Sequence, residues 1–320
     1  MQAVVLEDFE RLSLQELPPP AEGGVLLRVE ACGVCGSDLS VYKGSPAMRA
    51  RWRPPLVLGH EIAATVLEGP PDWVGRKVAV NPLVACGRCD SCRRGLSNLC
   101  PERTNVGFHY RGGFAQQIRL PVEQLYPLPE GLSPWKGALC EPLAVALRAV
   151  ELAGAALGRR VLVLGGGAIG TLAAWLLHRA GARVEVAERN PLRRAWLEGL
   201  EFIARVVEAP QAGYEGVLDC VGSEKTVALS VDLVQPGGKV VLVGLEATLA
   251  PLPLQRVVLQ EIGLKGAYVF THDDFTRAVE LVPQLPEGLA VVRPFSAYRE
   301  TFAELIDGRL AQPKAVLVWG

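Results

Sequence analysis

The chain has 320 residues, about two domains' worth. Hydrophobic residues make up 49% and charged residues 21%, which excludes a disordered chain. The 33 basic and 34 acidic residues form no basic block, which argues against a nucleic-acid or anionic-membrane surface.

The first eleven residues carry Glu7, Asp8 and Glu10 and do not read as a targeting segment. Residues 3–6, 25–29, 62–67, 77–80 and 114–120 are short strand-like runs punctuated by Gly and Pro. Near residue 142 the pattern changes to alternating strands and helices. Residues 160–164, 183–187, 216–220, 239–243 and 264–270 read as strands, and residues 168–180 and 193–200 as helices. That alternation signals a parallel, doubly wound sheet. The tail reads as a helix over 298–307 and a strand over 315–318. The longest uncharged apolar run, 161–177, is short for a spanning helix and is broken by four glycines. A soluble cytoplasmic protein is expected, whose eight cysteines are metal ligands or core residues rather than disulfides.

The strongest local signal is Cys86-x2-Cys89-x2-Cys92-x7-Cys100. Four thiolates at this spacing can close a tetrahedron around one zinc ion. Their neighbours Arg88, Asp90, Ser91, Arg93 and Arg94 are polar, so burial in a core is a poor account of them. With all four positions filled by protein, such a zinc is structural and leaves no place for substrate.

Gly165-Gly166-Gly167-Ala168-Ile169-Gly170 supplies Gly-x-Gly-x-x-Gly between a predicted strand and a predicted helix, the context a dinucleotide turn requires. Glu188 ends the next strand, where a carboxylate can accept hydrogen bonds from ribose hydroxyls and repel a 2′-phosphate. Arg189 beside it favours the opposite, so NAD is expected and NADP stays open.

Three pieces remain: Cys35-Gly36-Ser37-Asp38, Gly59-His60-Glu61 and Cys140-Glu141-Pro142. Singly, each reads as ordinary core or surface, and Cys32 with Cys35 also fits a redox pair. Together with the four-cysteine lobe, Gly112-Gly113-Phe114-Ala115, Glu141-Pro142-Leu143-Ala144, the 165–170 turn and Asp219-Cys220-Val221-Gly222, they carry a resemblance. The whole chain resembles the zinc-dependent medium-chain dehydrogenase/reductase family, above all its sorbitol, butanediol and threonine dehydrogenase-like branch. The resemblance implies an α/β chain: a GroES-like β-barrel catalytic domain over 1–142, a Rossmann NAD-binding domain over 143–270, and a return to the catalytic domain over 271–320. It implies two zinc ions, the structural one and a catalytic one held by Cys35, His60 and Glu141, with Glu61 able to approach and Asp38 orienting His60. It also implies cofactor contacts from Gly165, Gly167, Ala168, Ile169, Gly170, Glu188, Arg193, Val221, Val243, Gly244, Leu245 and Tyr268. Cys32, Cys140 and Cys220 are left as packing residues.

The implied activity is reversible hydride transfer from a secondary alcohol, diol or polyol to NAD. A metal with an open position lowers the pKa of the alcohol, and Ser37 is placed to accept its proton. The partners implied are a small alcohol or carbonyl substrate and further copies of the chain, as a homodimer or homotetramer, without nucleic acid or membrane. Three departures stand out. Ser40 occupies the position of a relay His, Val41 that of a Tyr, and Val269-Phe270 that of an Arg-Tyr pair. The substrate site is therefore expected to be more apolar than a sorbitol site, with Tyr42, Phe108, His109 and Phe270 as lining. The segment between Glu188 and Asp219 is short, so one crossover helix is expected to be trimmed. An NADPH-dependent aldehyde or ketone reductase and a non-catalytic zinc- and nucleotide-binding protein are the competing readings.

Overall fold

The computed structural model describes residues 1–320 except Glu22, Ala155, Ala156 and Gly320. Two compact units emerge. The first comprises Met1–Glu141, Thr271–Arg309 and Lys314–Gly320, and the second Pro142–Phe270 with Leu310–Pro313.

The first unit is built on a seven-stranded sheet. Val291–Pro294, Ala315–Val318, Val25–Val34, Glu61–Glu68, Lys77–Val80 and Leu125–Pro127 lie in that order, and Gln117–Leu120 also pairs with Val25–Val34. All pairs are antiparallel except the first. Val25–Val34 is the central strand and is buried along most of its length, as its apolar composition requires. The core gathers Leu27, Ile62, Val80, Phe114, Phe302 and Leu317. Phe114 meets Phe295 and Phe302 edge-on, with centroids 6.2 and 5.9 Å away. Its ring also presses on Gly59, where a Cβ would stand 2.8 Å from a ring carbon. Gly59 has φ +93°, so only glycine takes this turn without strain. The core thus fixes the backbone immediately before His60.

The second unit carries six parallel strands: Arg160–Leu164, Arg183–Ala187, Arg205–Val207, Tyr214–Asp219, Val234–Leu242 and Gly263–Gly266. Counted in chain order they stand 3-2-1-4-5-6, the doubly wound arrangement whose switch point lies between the first and fourth strands. Arg160–Leu164 and Arg183–Ala187 coincide with the strands expected from sequence. The connection from Arg205–Val207 to Tyr214–Asp219 carries no helix, which is the trimmed crossover. One expectation fails: the strand expected over 264–270 ends at Gly266. Val269 adopts φ +49°, a left-handed conformation that no extended strand accommodates and that a β-branched residue seldom adopts.

Phe114→Ala should destabilise the protein by about 3–5 kcal/mol, because it empties a fully enclosed ring site, and Phe114→Leu should cost less. Denaturant unfolding of the two variants checks the order.

Candidate active site

Cys35 caps the helix Gly36–Lys43 and Asp38 occupies its first turn. The Asp38 carboxylate is fully buried. Its Oδ2 accepts the Cys35 N–H (2.9 Å) and its Oδ1 accepts the Gly59 N–H (3.2 Å). His60 follows Gly59 directly, and its Nδ1 stands 3.5 Å from Asp38 Oδ1, an electrostatic contact longer than a good hydrogen bond. On the other side of the ring, Nε2 lies 3.3 Å from Ser37 Oγ. Burial alone would lower the pKa of His60, but the charges of Asp38 and Cys35 outweigh it and hold it well above the usual histidine range.

Donor atoms of Cys35, His60 and Glu61 lie within 4.8 Å of one another. Glu141 is not in that triad. It lies in the first turn of the helix Cys140–Ala153 and is buried; burial raises its pKa to about 7, against the attraction of His60. The sequence did not single out Lys314. Its Nζ donates to Glu61 Oε1 (2.5 Å) and to the Val34 carbonyl (3.1 Å), and both side chains of the ion pair are buried. A lysine heading the apolar strand Ala315–Val318 was the available signal. Glu61 Oε2 is buried without a hydrogen-bond partner among the described residues.

The donor chemistry fits a zinc ion. A thiolate, an imidazole and a carboxylate are the donor types of catalytic zinc sites. Glu61, Glu141 and the Cys35 thiol all face the ammonium of Lys314, and a divalent cation would add positive charge to this group of acidic donors. Phe108 lies against His60, with centroids 5.4 Å apart, and Trp52 stacks on Phe108 at 5.0 Å. His109 meets Trp52 edge-on. Tyr42 is engaged elsewhere: its hydroxyl donates to the Glu10 carbonyl and its ring packs on Phe302. Phe270 is wholly enclosed and exposes no surface to line a site, against expectation. Ser40 donates to the Gly36 carbonyl within its own helix, and Val41 is core.

The sulfurs of Cys86, Cys89, Cys92 and Cys100 form a second cluster within 4.8 Å, and all eight cysteines are free thiols. Tetrahedral thiolates about 2.3 Å from zinc would stand roughly 3.8 Å apart, within this limit. Within the cluster the thiols differ: the backbone N–H groups of Arg88 and Cys89 pull Cys86 down to about 7, while burial and the neighbouring thiols push Cys92 up to about 12.

In the second unit, Gly165 turns at φ +92° after the first strand. A Cβ on Gly170 would stand 1.9 Å from the Gly165 carbonyl oxygen, whereas one on Gly167, at the N-cap of the helix Ala168–Arg179, would meet nothing within 4 Å. One glycine thus closes helix on strand, and the other leaves room for phosphate at a helix N-terminus. Glu188 is held in place: Oε2 accepts the Gly166 N–H (3.0 Å) and Oε1 the Asn190 N–H (2.8 Å). Arg193 Nη1 pairs with Glu188 Oε2 at 3.3 Å, while its Nε is buried without a hydrogen-bond partner among the described residues. These groups fit a dinucleotide. Val221, Val243 and Gly244 stand at the ends of the fourth and fifth strands, Leu245 is exposed, and Tyr268 follows the sixth.

Lys314→Met should destabilise the first unit by about 3–5 kcal/mol, because it strands the Glu61 carboxylate in the interior. The double change Lys314→Met with Glu61→Gln should recover most of the loss. Urea unfolding of both variants measures the difference.

An alcohol dehydrogenase GroES-like domain model matches residues 21–130, and a zinc-binding dehydrogenase model matches residues 168–284. L-galactonate-5-dehydrogenase of Escherichia coli K12 is 30% identical over 315 residues, covering 92% of this chain and 89% of that protein. 2-Dehydro-3-deoxy-L-galactonate 5-dehydrogenase of Pseudoalteromonas atlantica is 31% identical over 317 residues, covering 93% and 92%. A Sinorhizobium meliloti 1021 structure, described as a zinc-binding dehydrogenase bound to NADP, superposes with a TM-score of 0.90 at 29% identity, covering 99% and 98% of the two chains. With both family models matched in sequence order, and with relatives at this identity aligned over nearly their whole length, the chain belongs to the zinc-binding alcohol dehydrogenase family.

Proposed function

We propose that this protein oxidises the CH–OH group of a secondary alcohol, diol or polyol to a carbonyl, reversibly, with NAD taking up the hydride. The observation that carries the reading is the buried cluster of Cys35, His60 and Glu61, with Ser37 at its edge. Zinc bound there would act as a Lewis acid that makes an alcohol hydroxyl acidic near neutral pH. Cys35 and His60 would hold it. Glu141 is the third ligand we favour, because Glu61 already shares an oxygen with Lys314. Ser37 would accept the hydroxyl proton and pass it on. Asp38 holds both ligand-bearing backbones in place. Cys86, Cys89, Cys92 and Cys100 would hold a second, structural zinc. Both sets need reduced thiols, which a cytoplasmic setting maintains.

Gly165, Gly167, Ala168, Ile169 and Gly170 would cradle the pyrophosphate, and Glu188 would accept from the adenosine ribose. Its two backbone donors keep the carboxylate fixed where a 2′-phosphate would have to sit, which favours NAD. Arg193, Val221, Val243, Gly244, Leu245 and Tyr268 are the further contacts we assign. The two relatives named above carry sugar acids in their names, which supports polyhydroxylated substrates. The Trp52–Phe108 stack beside His60 supports substrates with an apolar face instead, so both classes belong in the assay.

We also infer a homo-oligomer. Leu249, Leu254, Val258 and Leu259 are 66–83% exposed along one short stretch, and the nearby strand Gly263–Gly266 is a sheet edge. Apolar side chains beside an unpaired edge fit a second copy of the chain.

Initial rates with NAD and NADP across secondary alcohols, vicinal diols, sugar alcohols and sugar acids test the activity. NAD-linked turnover that chelation abolishes, and that Cys35→Ser lowers by roughly a thousandfold or more, is expected. Turnover that survives the removal of metal would refute the zinc mechanism. For the assembly, Val258→Asp with Leu259→Asp should yield monomers in sedimentation velocity, where the unaltered protein sediments as a dimer or tetramer.

A further inference from the structure

Asp219 ends the fourth strand of the parallel sheet and is completely buried. Its Oδ1 accepts two backbone N–H groups, from Val221 and Gly222, each at 2.9 Å. Its own carbonyl accepts two more, from Val243 (2.9 Å) and Gly244 (3.0 Å). One residue therefore organises both loops that leave the C-terminal edge of the sheet beside the 165–170 turn. The loops interlock without side chains between them. A Cβ on Gly222 would stand 2.1 Å from the Gly244 oxygen, and one on Gly244 would stand 2.0 Å from the Val221 carbonyl carbon. Gly222 also turns at φ +71°. Val221 then reaches the turn itself: a Cβ on Gly165 would lie 2.6 Å from Val221 Cγ2.

The other carboxylate oxygen, Oδ2, is buried and has no hydrogen-bond partner among the described residues. An orphaned buried acceptor is unfavourable, so packing alone gives no reason for a carboxylate here. What the side chain does contribute is a double acceptor that fixes the height and direction of the 220–222 loop. We infer that Asp219 is a positioning residue for the cofactor: its paired hydrogen bonds seat Val221 against Gly165 and so shape the rim of the dinucleotide turn. The inference rests on the reading that the 165–170 turn binds NAD. It assigns Asp219 no contact with the nicotinamide and no part in proton transfer.

The test is NAD binding to zinc-replete, full-length protein, followed by quenching of tryptophan fluorescence, with kcat at saturating cofactor and Tm measured in parallel. Asp219→Ala removes the acceptor and should raise the NAD Kd by roughly tenfold or more while kcat at saturation stays within about twofold. Asp219→Asn keeps an acceptor oxygen and should stay within roughly threefold of the unaltered protein. Val221→Ala leaves the Asp219 bonds intact, removes the contact with Gly165, and should weaken NAD binding by a few-fold, about 3 to 5. Should Asp219→Ala fail to fold, Asp219→Ser decides the matter: its hydroxyl is too short to accept both N–H groups, so it should raise the NAD Kd by a few-fold, about 3 to 5, and an unchanged Kd would overturn the inference. An Asp219→Ala protein with lowered Tm and unchanged Kd, an Asn variant as impaired as the Ala variant, or a Val221→Ala protein with unchanged Kd would overturn the inference. An unaltered protein that binds neither NAD nor NADP would instead overturn the cofactor reading, and this inference with it.

Discussion

The metal-donor cluster depends on the buried carboxylate of Asp38. It receives N–H groups from two separate stretches of chain, Cys35 on one side and Gly59 on the other, and each stretch carries a donor of the cluster. A carboxylate enclosed in an apolar core is tolerated only when strong donors surround it. Those donors are backbone groups, so the price of burying the charge is a fixed geometry. The helix Gly36–Lys43 cannot shift against the Gly59 turn without breaking one of the two bonds. Ser37, on the same helical turn, inherits its distance from His60 through this constraint. Phe114 supports it from behind by filling the space that a side chain on Gly59 would need.

How much of this was legible in the sequence depends on whether the information is local. The glycine turn was legible because its meaning lies in one strand, one turn and one helix, and Gly165, Gly167 and Gly170 show three different uses of a missing side chain. The four-cysteine lobe was legible for the same reason: its donors fall within fifteen residues. The trimmed crossover could be read from the length of its segment set against the family the chain resembles. Lys314 could not. It lies far along the chain from Glu61, and only the return of Ala315–Val318 onto Val25–Val34 brings the two together. The over-long strand at 264–270 failed for another reason. Tyr268, Val269 and Phe270 all have strand-like composition, and the left-handed turn at Val269 runs against that preference. Trp52 was also missed, because a lone aromatic in an Arg- and Pro-rich loop has no periodicity to mark it.

Charge separates Glu61 from Glu141. Glu61 and Glu141 are both buried, but they are not equivalent. Glu61 has a cation of its own, Lys314, at 2.5 Å. Glu141 has only attraction from groups around it, and its pKa rises to about 7 under the cost of burial. A carboxylate already paired with an ammonium gains little from a second cation, whereas an uncompensated one gains a great deal. Proximity of donor atoms and need of charge therefore point to different carboxylates: Glu61 stands in the donor triad, while Glu141 bears the larger cost of burial.

The two units use the same device in different settings. Asp38 and Asp219 are each fully buried, and each accepts a pair of backbone N–H groups that bind loops together. Beside Asp38 stands His60, so part of its charge is compensated within the cluster it orders. Around Asp219 no cation is in hydrogen-bonding contact among the described residues, and one of its oxygens stays unpaired. Its two backbone donors must therefore compensate the charge almost alone. That favours short, straight hydrogen bonds and a loop with little freedom. A stiff rim above a glycine turn suits a cofactor that must enter and leave in every cycle, because less order has to be created each time it binds.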